Sequence, residues 1–151
     1  MDESAPYLRY KRSRFSTRLH TERLYTSAHQ WLWQKEPGLW CVGFTKFALR
    51  MLGDPVEFEL EVKPGAPVAQ GDVLGWIEGF KAVSDVYAPL AGEFSGSNPE
   101  LEQDLELLVS DRYGRGWLFA LKAAPSAELL DAEGYSAHLD ATIERMTGSS
   151  A

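Results

Sequence analysis

Residues 55–62, PVEFELEV, alternate Val56, Phe58, Leu60 and Val62 with Glu57, Glu59 and Glu61. Successive side chains of a strand point to opposite faces, so this stretch predicts a strand with one face buried and one wet. Other segments extend the β content. Tyr25, Trp31, Leu32 and Trp33 in RLYTSAHQWLW read as one strand, EPGLW supplies a Pro37–Gly38 turn, and LWCVGF is the returning partner. VLGWIEGF, AVSDVYAPL and GWLFALKA are further strands. TKFALRMLG predicts a short helix capped by Thr45, with Phe47, Ala48, Met51 and Leu52 on its apolar face and Gly53 just past its end. NPELEQDLELLVSD predicts a second helix, with Asn98 as cap, Pro99 at the first position, and Leu101, Leu105, Leu108 and Val109 sharing a face. From about Ser126 to Met146 the pattern is helical again, with Tyr135, Leu139, Ile143 and Met146 on one face and Gly134 interrupting it. Three helices beside a mainly antiparallel β core give an α+β, mainly β fold class.

A chain of 151 residues suits one domain. No stretch approaches the roughly 18 apolar residues of a membrane span. The single cysteine, Cys41, excludes an intrachain disulfide, and the three histidines are too scattered for a structural zinc site. The net charge of −7 is uneven: residues 1–24 hold six Lys/Arg and three Asp/Glu, the remainder nine and nineteen. An acidic body repels phosphate backbones, which argues against nucleic acid as the main partner. The stretch RYKRSRFSTRLH reads as a solvated arm, a contact for RNA or protein, or a targeting segment. Residues 1–23 are therefore expected to form a basic extension outside a domain spanning 24–147, with 148–151 as a tail.

One lysine, Lys81, stands between VLGWIEGF and AVSDVYAPL. AQGDVLG at 69–75 and LAGEFSG at 90–96 echo each other on either side, with Gly71 ten residues before the lysine and Gly92 eleven after. Two similar β units around a central hairpin place Lys81 at the hairpin tip, in a sandwich of two small sheets, with the glycines serving turns. A catalytic lysine needs desolvation to lower its pKa. A tip lysine stays in water, charged and reachable, which suits covalent attachment of a cofactor on a rigid scaffold. Other signals are structural. The five tryptophans suit core packing, and YGRGW at 113–117 lacks the lysine of a phosphate loop. His29 near Asp85 reads as an acid/base pair or, preferably, as a residue that orders its loop. No serine or cysteine lies in a nucleophile motif, so no catalytic residue is expected.

EGFKAVSDVYAPLAGE resembles the lipoyl-attachment segment of the glycine cleavage system H-protein family, commonly Glu-Ser-Val-Lys-Ala-x-Ser-Asp. SAHQWLW, VGFTKFALRMLGDPVEFEL, DRYGRGWLFALK and LLDAEGYSAHL resemble further family segments in the right order, over roughly residues 24–140. The resemblance implies a barrel-sandwich hybrid fold with short flanking helices. It implies lipoate covalently attached through an amide to Lys81, with Glu78, Ala82 and Asp85 as the matching residues around it. It implies a shuttle and not an enzyme. A pyridoxal-phosphate glycine decarboxylase would load an aminomethyl group, a tetrahydrofolate-dependent aminomethyltransferase would remove it, and dihydrolipoyl dehydrogenase would reoxidise the dithiol. A lipoyl or octanoyl transferase would supply the cofactor. The location implied is cytoplasmic, with the mitochondrial matrix as alternative.

The departures from the family pattern concern the cleft that holds the charged arm. Asp85 is kept, but Ala28 and Gln30 replace the usual Ser and Glu, and Gly79 and Phe80 replace the Ser and Val before the lysine. Loss of a hydroxyl and a carboxylate weakens capture of a cationic amine. Two other functions share the sequence features: a lipoyl carrier or relay for another pathway, such as sulfur-compound oxidation, and a non-lipoylated scaffold that binds a partner through the basic arm.

Overall fold

The computed structural model describes residues 6–148, so the first five residues of the basic extension and 149–151 of the tail lie outside the described residues. Eleven strands form three antiparallel groups among these residues. β1 (Tyr7–Arg12) and β2 (Phe15–His20) make a hairpin of their own. β3 (Leu24–Tyr25), β4 (Gln30–Glu36), β5 (Leu39–Phe44), β7 (Pro67–Val68), β10 (Gly92–Ser97) and β11 (Phe119–Ala123) form a six-stranded sheet in the order β3-β4-β5-β11-β10-β7. β6 (Pro55–Leu60), β8 (Val73–Gly79) and β9 (Val83–Tyr87) form a three-stranded sheet with β8 at its centre. One core cluster draws from both larger sheets, including Leu32, Val42, Phe94, Phe119 and Leu121 from one and Leu74, Ile77 and Val86 from the other. The two segments of the glycine echo thus feed different sheets, β8 and β10. Gly71 has the positive φ of a turn glycine, at 90°. Gly92 serves another purpose: it lies within β10, and a Cβ there would overlap the Lys122 carbonyl of β11.

In PVEFELEV the alternation largely holds. Glu57, Glu59 and Glu61 are exposed, while Phe58, Leu60 and Val62 pack on the core. Val56 is 45% exposed, because a register shift between Pro55 and Glu57 breaks the alternation at the strand's start. RLYTSAHQWLW is not one strand. His29 takes φ 67° in a turn, and Leu24–Tyr25 folds back onto Trp31–Leu32. A left-handed histidine gives no sequence signal, so the turn is invisible beforehand.

Four helices occur among the described residues, where three were expected. α1 (Lys46–Leu52) is capped by Thr45, whose side chain accepts from the Ala48 N–H, but it buries Leu49 with Phe47 and Leu52 and leaves Met51 exposed. The predicted helix after Asn98 breaks into α2 (Pro99–Gln103) and α3 (Leu107–Ser110). Asp104 divides them by accepting from the Glu106 N–H, a local bond that competes with helix continuation. Leu101, Leu107 and Leu108 are buried, and Val109 is exposed. α4 (Ala132–Met146) begins at the Asp131 cap, and Gly134 lies in its first turn, donating to Asp131 Oδ1 at 2.8 Å, without interrupting it. Tyr135, Leu139 and Ile143 are buried as expected, and Met146 is exposed.

The largest departure concerns the basic stretch. Residues 7–20 are a folded hairpin and not a solvated arm. Its inward face buries Tyr10, Phe15 and Leu19 in a second cluster with Tyr25, Trp31, Phe47 and the α4 residues Tyr135, Leu139 and Ile143. Arg12 adds ion pairs to Asp140 and Glu144 of α4. The high basic content masks an ordinary amphipathic hairpin whose three large apolar residues are spaced too irregularly to announce a strand pair.

Candidate functional site

Lys81 stands at the tip of the β8–β9 hairpin, and main-chain atoms hold the tip. Gly79 N–H donates to the Ala82 carbonyl at 2.8 Å, Phe80 N–H to Asp54 at 3.0 Å, and Lys81 N–H to Leu52 at 2.9 Å. The last two bonds seat the tip on the corner between α1 and β6. Close approach requires glycine on both sides of the contact. Gly53 has φ 84°, and a Cβ there would lie 2.8 Å from the Lys81 nitrogen. A Cβ on Gly79 would overlap the Leu52 carbonyl. Glycine at 79 is therefore what this tight seat demands.

With the backbone so fixed, the side chains at the tip are left in solvent. Phe80 is 80% exposed and Lys81 is exposed. Lys81 Nζ donates to the Arg50 carbonyl near the end of α1 at 3.3 Å, and among the described residues it has no ion pair to a carboxylate. The amine is neither buried nor locked away from another enzyme.

Beside the tip lies a cleft of about 340 Å³. Phe44, Ala48, Met51, Leu52, Ile77 and Ala82 give it an apolar lining, and His29, Gln30, Ser84 and Asp85 add polar groups. Gln30 is 3% exposed and fully engaged: Nε2 donates to the Tyr87 carbonyl at 2.8 Å, and Oε1 accepts from Thr26 Oγ1 at 3.3 Å. It ties β4 to β9. His29 lies 2.8 Å from the Tyr135 hydroxyl, which also lies 2.8 Å from Thr45 Oγ1. Burial, with the nearby His138 adding to it, pushes the His29 imidazole down to about 4, so it is neutral at neutral pH. His29 thus orders the loop between β3 and β4, and no bond joins it to Asp85. Asp85 is the one carboxylate lining the cleft among the described residues.

The residues singled out in the sequence do not all converge. Ala82 and Asp85 line the cleft. Glu78 does not; the register sets it opposite Glu57 and Val83. Tyr135 is the participant missed by sequence reasoning. Its place on a helical face marks it as core, and nothing local indicates that its hydroxyl holds both the α1 cap and the cleft histidine.

A family model described as "Glycine cleavage H-protein" matches residues 23–142. The chain belongs to the glycine cleavage H-protein family. The glycine cleavage system H protein of Shewanella sp. (strain ANA-3) is 44% identical over 123 residues, 80% of this chain and 95% of the relative. That of Pseudoalteromonas atlantica is 46% identical over 114 residues, covering 74% and 88%. The crystal structure of a glycine cleavage system H protein from Mycobacterium marinum superposes with a TM-score of 0.71 at 31% identity, covering 81% of this chain and 99% of that one. The fold is accordingly the family's barrel-sandwich hybrid with a C-terminal helix. As an H-protein family member the chain is a non-catalytic carrier, the aminomethyl shuttle of the glycine cleavage system. The β1–β2 hairpin precedes the matched residues.

Proposed function

We propose that Lys81 is the residue through which this carrier works, by holding lipoate in amide linkage. The observation that carries this reading is the tip itself: a main-chain-clamped turn with an exposed amine that has no carboxylate partner among the described residues. Lipoate held there would supply a redox-active disulfide, the chemistry needed to carry an aminomethyl group. The rest falls to this chain's own residues. The α1–β6 corner fixes where the arm begins. The apolar wall of Ala48, Met51, Leu52 and Ala82 excludes water from an arm folded back onto it. Asp85 is the group that attracts a cationic amine, and neutral His29 does not oppose it. Gln30 holds β9 in place and contributes no charge, so the hold on a cation is weaker here than with the usual glutamate. Glu78, near the tip, is a recognition group for a lipoyl or octanoyl transferase.

The partners are then glycine decarboxylase, aminomethyltransferase and dihydrolipoyl dehydrogenase, each docking in turn. Tethering gives the cargo a high effective concentration at each docked pocket. The setting we infer is the cytoplasm, since the relatives it matches are bacterial; no helix among the described residues is long and apolar enough to cross a membrane.

Intact mass of the protein purified from its own host tests the assignment. A lipoyl increment is expected in the wild type and none in Lys81→Ala, with both proteins folded by circular dichroism. An increment that persists in Lys81→Ala would place the arm elsewhere. Reconstitution of the lipoylated protein with glycine decarboxylase should give glycine-dependent release of carbon dioxide.

A further inference from the structure

A second cleft, of about 960 Å³, lies between the outward face of the β1–β2 hairpin and the loop after α3. Arg9, Lys11, Arg18, Arg23, Lys46 and Arg112 line it, against one carboxylate among the described residues, Asp111. Asp111 is already engaged with the Arg115 N–H at 3.1 Å. The protein as a whole carries −7, so this gathering of positive charge runs against its composition.

The hairpin sorts its basic residues by face. Arg12, on the inward face, pairs with Asp140 and Glu144. Arg9 and Arg18 stand directly opposite each other on the outward face, and neither has an ion pair among the described residues. Like charges directly across a strand pair are destabilising unless something compensates them. Arg23 Nε and Arg112 Nε are shielded from solvent with no hydrogen-bond partner among the described residues, which is costly for a guanidinium donor. Lys46 is drawn in from α1, donating to the Ser16 carbonyl at 2.8 Å.

We propose that this cleft binds a compact anion carrying several linked phosphates. Guanidinium forks match phosphate oxygens in pairs, and a concave site that gathers cations from the hairpin, α1 and the loop after α3 favours charge packed into a short chain over charge spread along a surface. Its size is that of a small-molecule site. At its end His20 packs edge to face on both Tyr7 and Tyr113. The site does not depend on Lys81 and lies partly outside the residues shared with the family.

The test is calorimetric titration of the full chain with inorganic triphosphate and with ATP at low and high salt. Binding of triphosphate is expected, weakening at least tenfold at high salt and at least tenfold in the double variant Arg9→Glu/Arg18→Glu, whose melting temperature should match the wild type. Lys63→Glu/Lys122→Glu, the same charge change away from the cleft, should bind as the wild type does. Equal affinity for the two ligands assigns the site to the phosphate chain itself, and tighter ATP to a nucleotide. Four results would overturn the proposal: no binding of triphosphate at millimolar concentration, equal weakening in the remote control, no weakening in the cleft variant, or single-stranded RNA bound more than tenfold tighter with affinity rising with length.

Discussion

Two hairpins of this protein, β1–β2 and β8–β9, are held in opposite ways. β1–β2 is fastened by side chains: Tyr10, Phe15 and Leu19 enter the second core cluster. The tip of β8–β9 is fastened by main-chain bonds from Phe80 to Asp54 and from Lys81 to Leu52, with Gly53 and Gly79 removing the bulk that would prevent them. Side chains spent on anchoring are unavailable for chemistry. An attachment site needs the reverse arrangement, a fixed backbone and a free side chain, and only the second hairpin has it.

Substitutions should separate the two modes. The largest stability effect is expected for Phe15→Ala, about 3 kcal/mol, since it empties a buried aromatic site between hairpin and α1. Urea denaturation should show it, while lipoylation of Lys81 continues at the wild-type rate. Gln30→Glu comes next. It replaces the donor to the Tyr87 carbonyl with a buried acceptor and should cost about 2 kcal/mol. A midpoint equal to the wild type would mean that the β4–β9 tie is dispensable. Gly79→Ala should cost about 1–2 kcal/mol, through overlap with Leu52, but slow transferase loading of Lys81 severalfold in a mass-spectrometric time course. Loading at an unchanged rate would show that the tight seat is unnecessary.

A further effect is in pH. His29 is held near 4 when folded and returns to about 6.5 when unfolded, so between those values the unfolded chain binds more protons. Stability should therefore fall as pH drops from about 6.5 toward 4. His20, in the β1–β2 hairpin, is also lowered, by burial first and then by Arg23. His29→Gln should flatten the acid limb of a urea-midpoint profile more than His20→Gln does. The reverse order would shift the acid-sensitive contact from the cleft to the basic hairpin.

Much of the lysine hairpin was legible beforehand because its signals are local: alternation in β6, strand-like runs on each side of Lys81, and glycines nearby. The cap at Thr45 and the Asn98–Pro99 helix start were legible for the same reason. What escaped depends on distant partners. The basic stretch folds because Phe15 finds Phe47 on α1 and Tyr10 finds Asp140, 130 residues away. The His29–Tyr135 bond joins residues 106 apart in sequence, and no local pattern encodes it. Met51, expected in the core, lines the cleft instead, because α1 rotates to bury Leu49.

The clamped backbone at residue 81 has a mechanical corollary. A flexible arm rooted there swings about a stationary pivot, so its far end is confined within a sphere whose radius is the arm's full length. Every enzyme that receives the cargo must bring its reactive pocket inside that sphere, so the greatest depth those pockets can have is dictated from this side of the encounter.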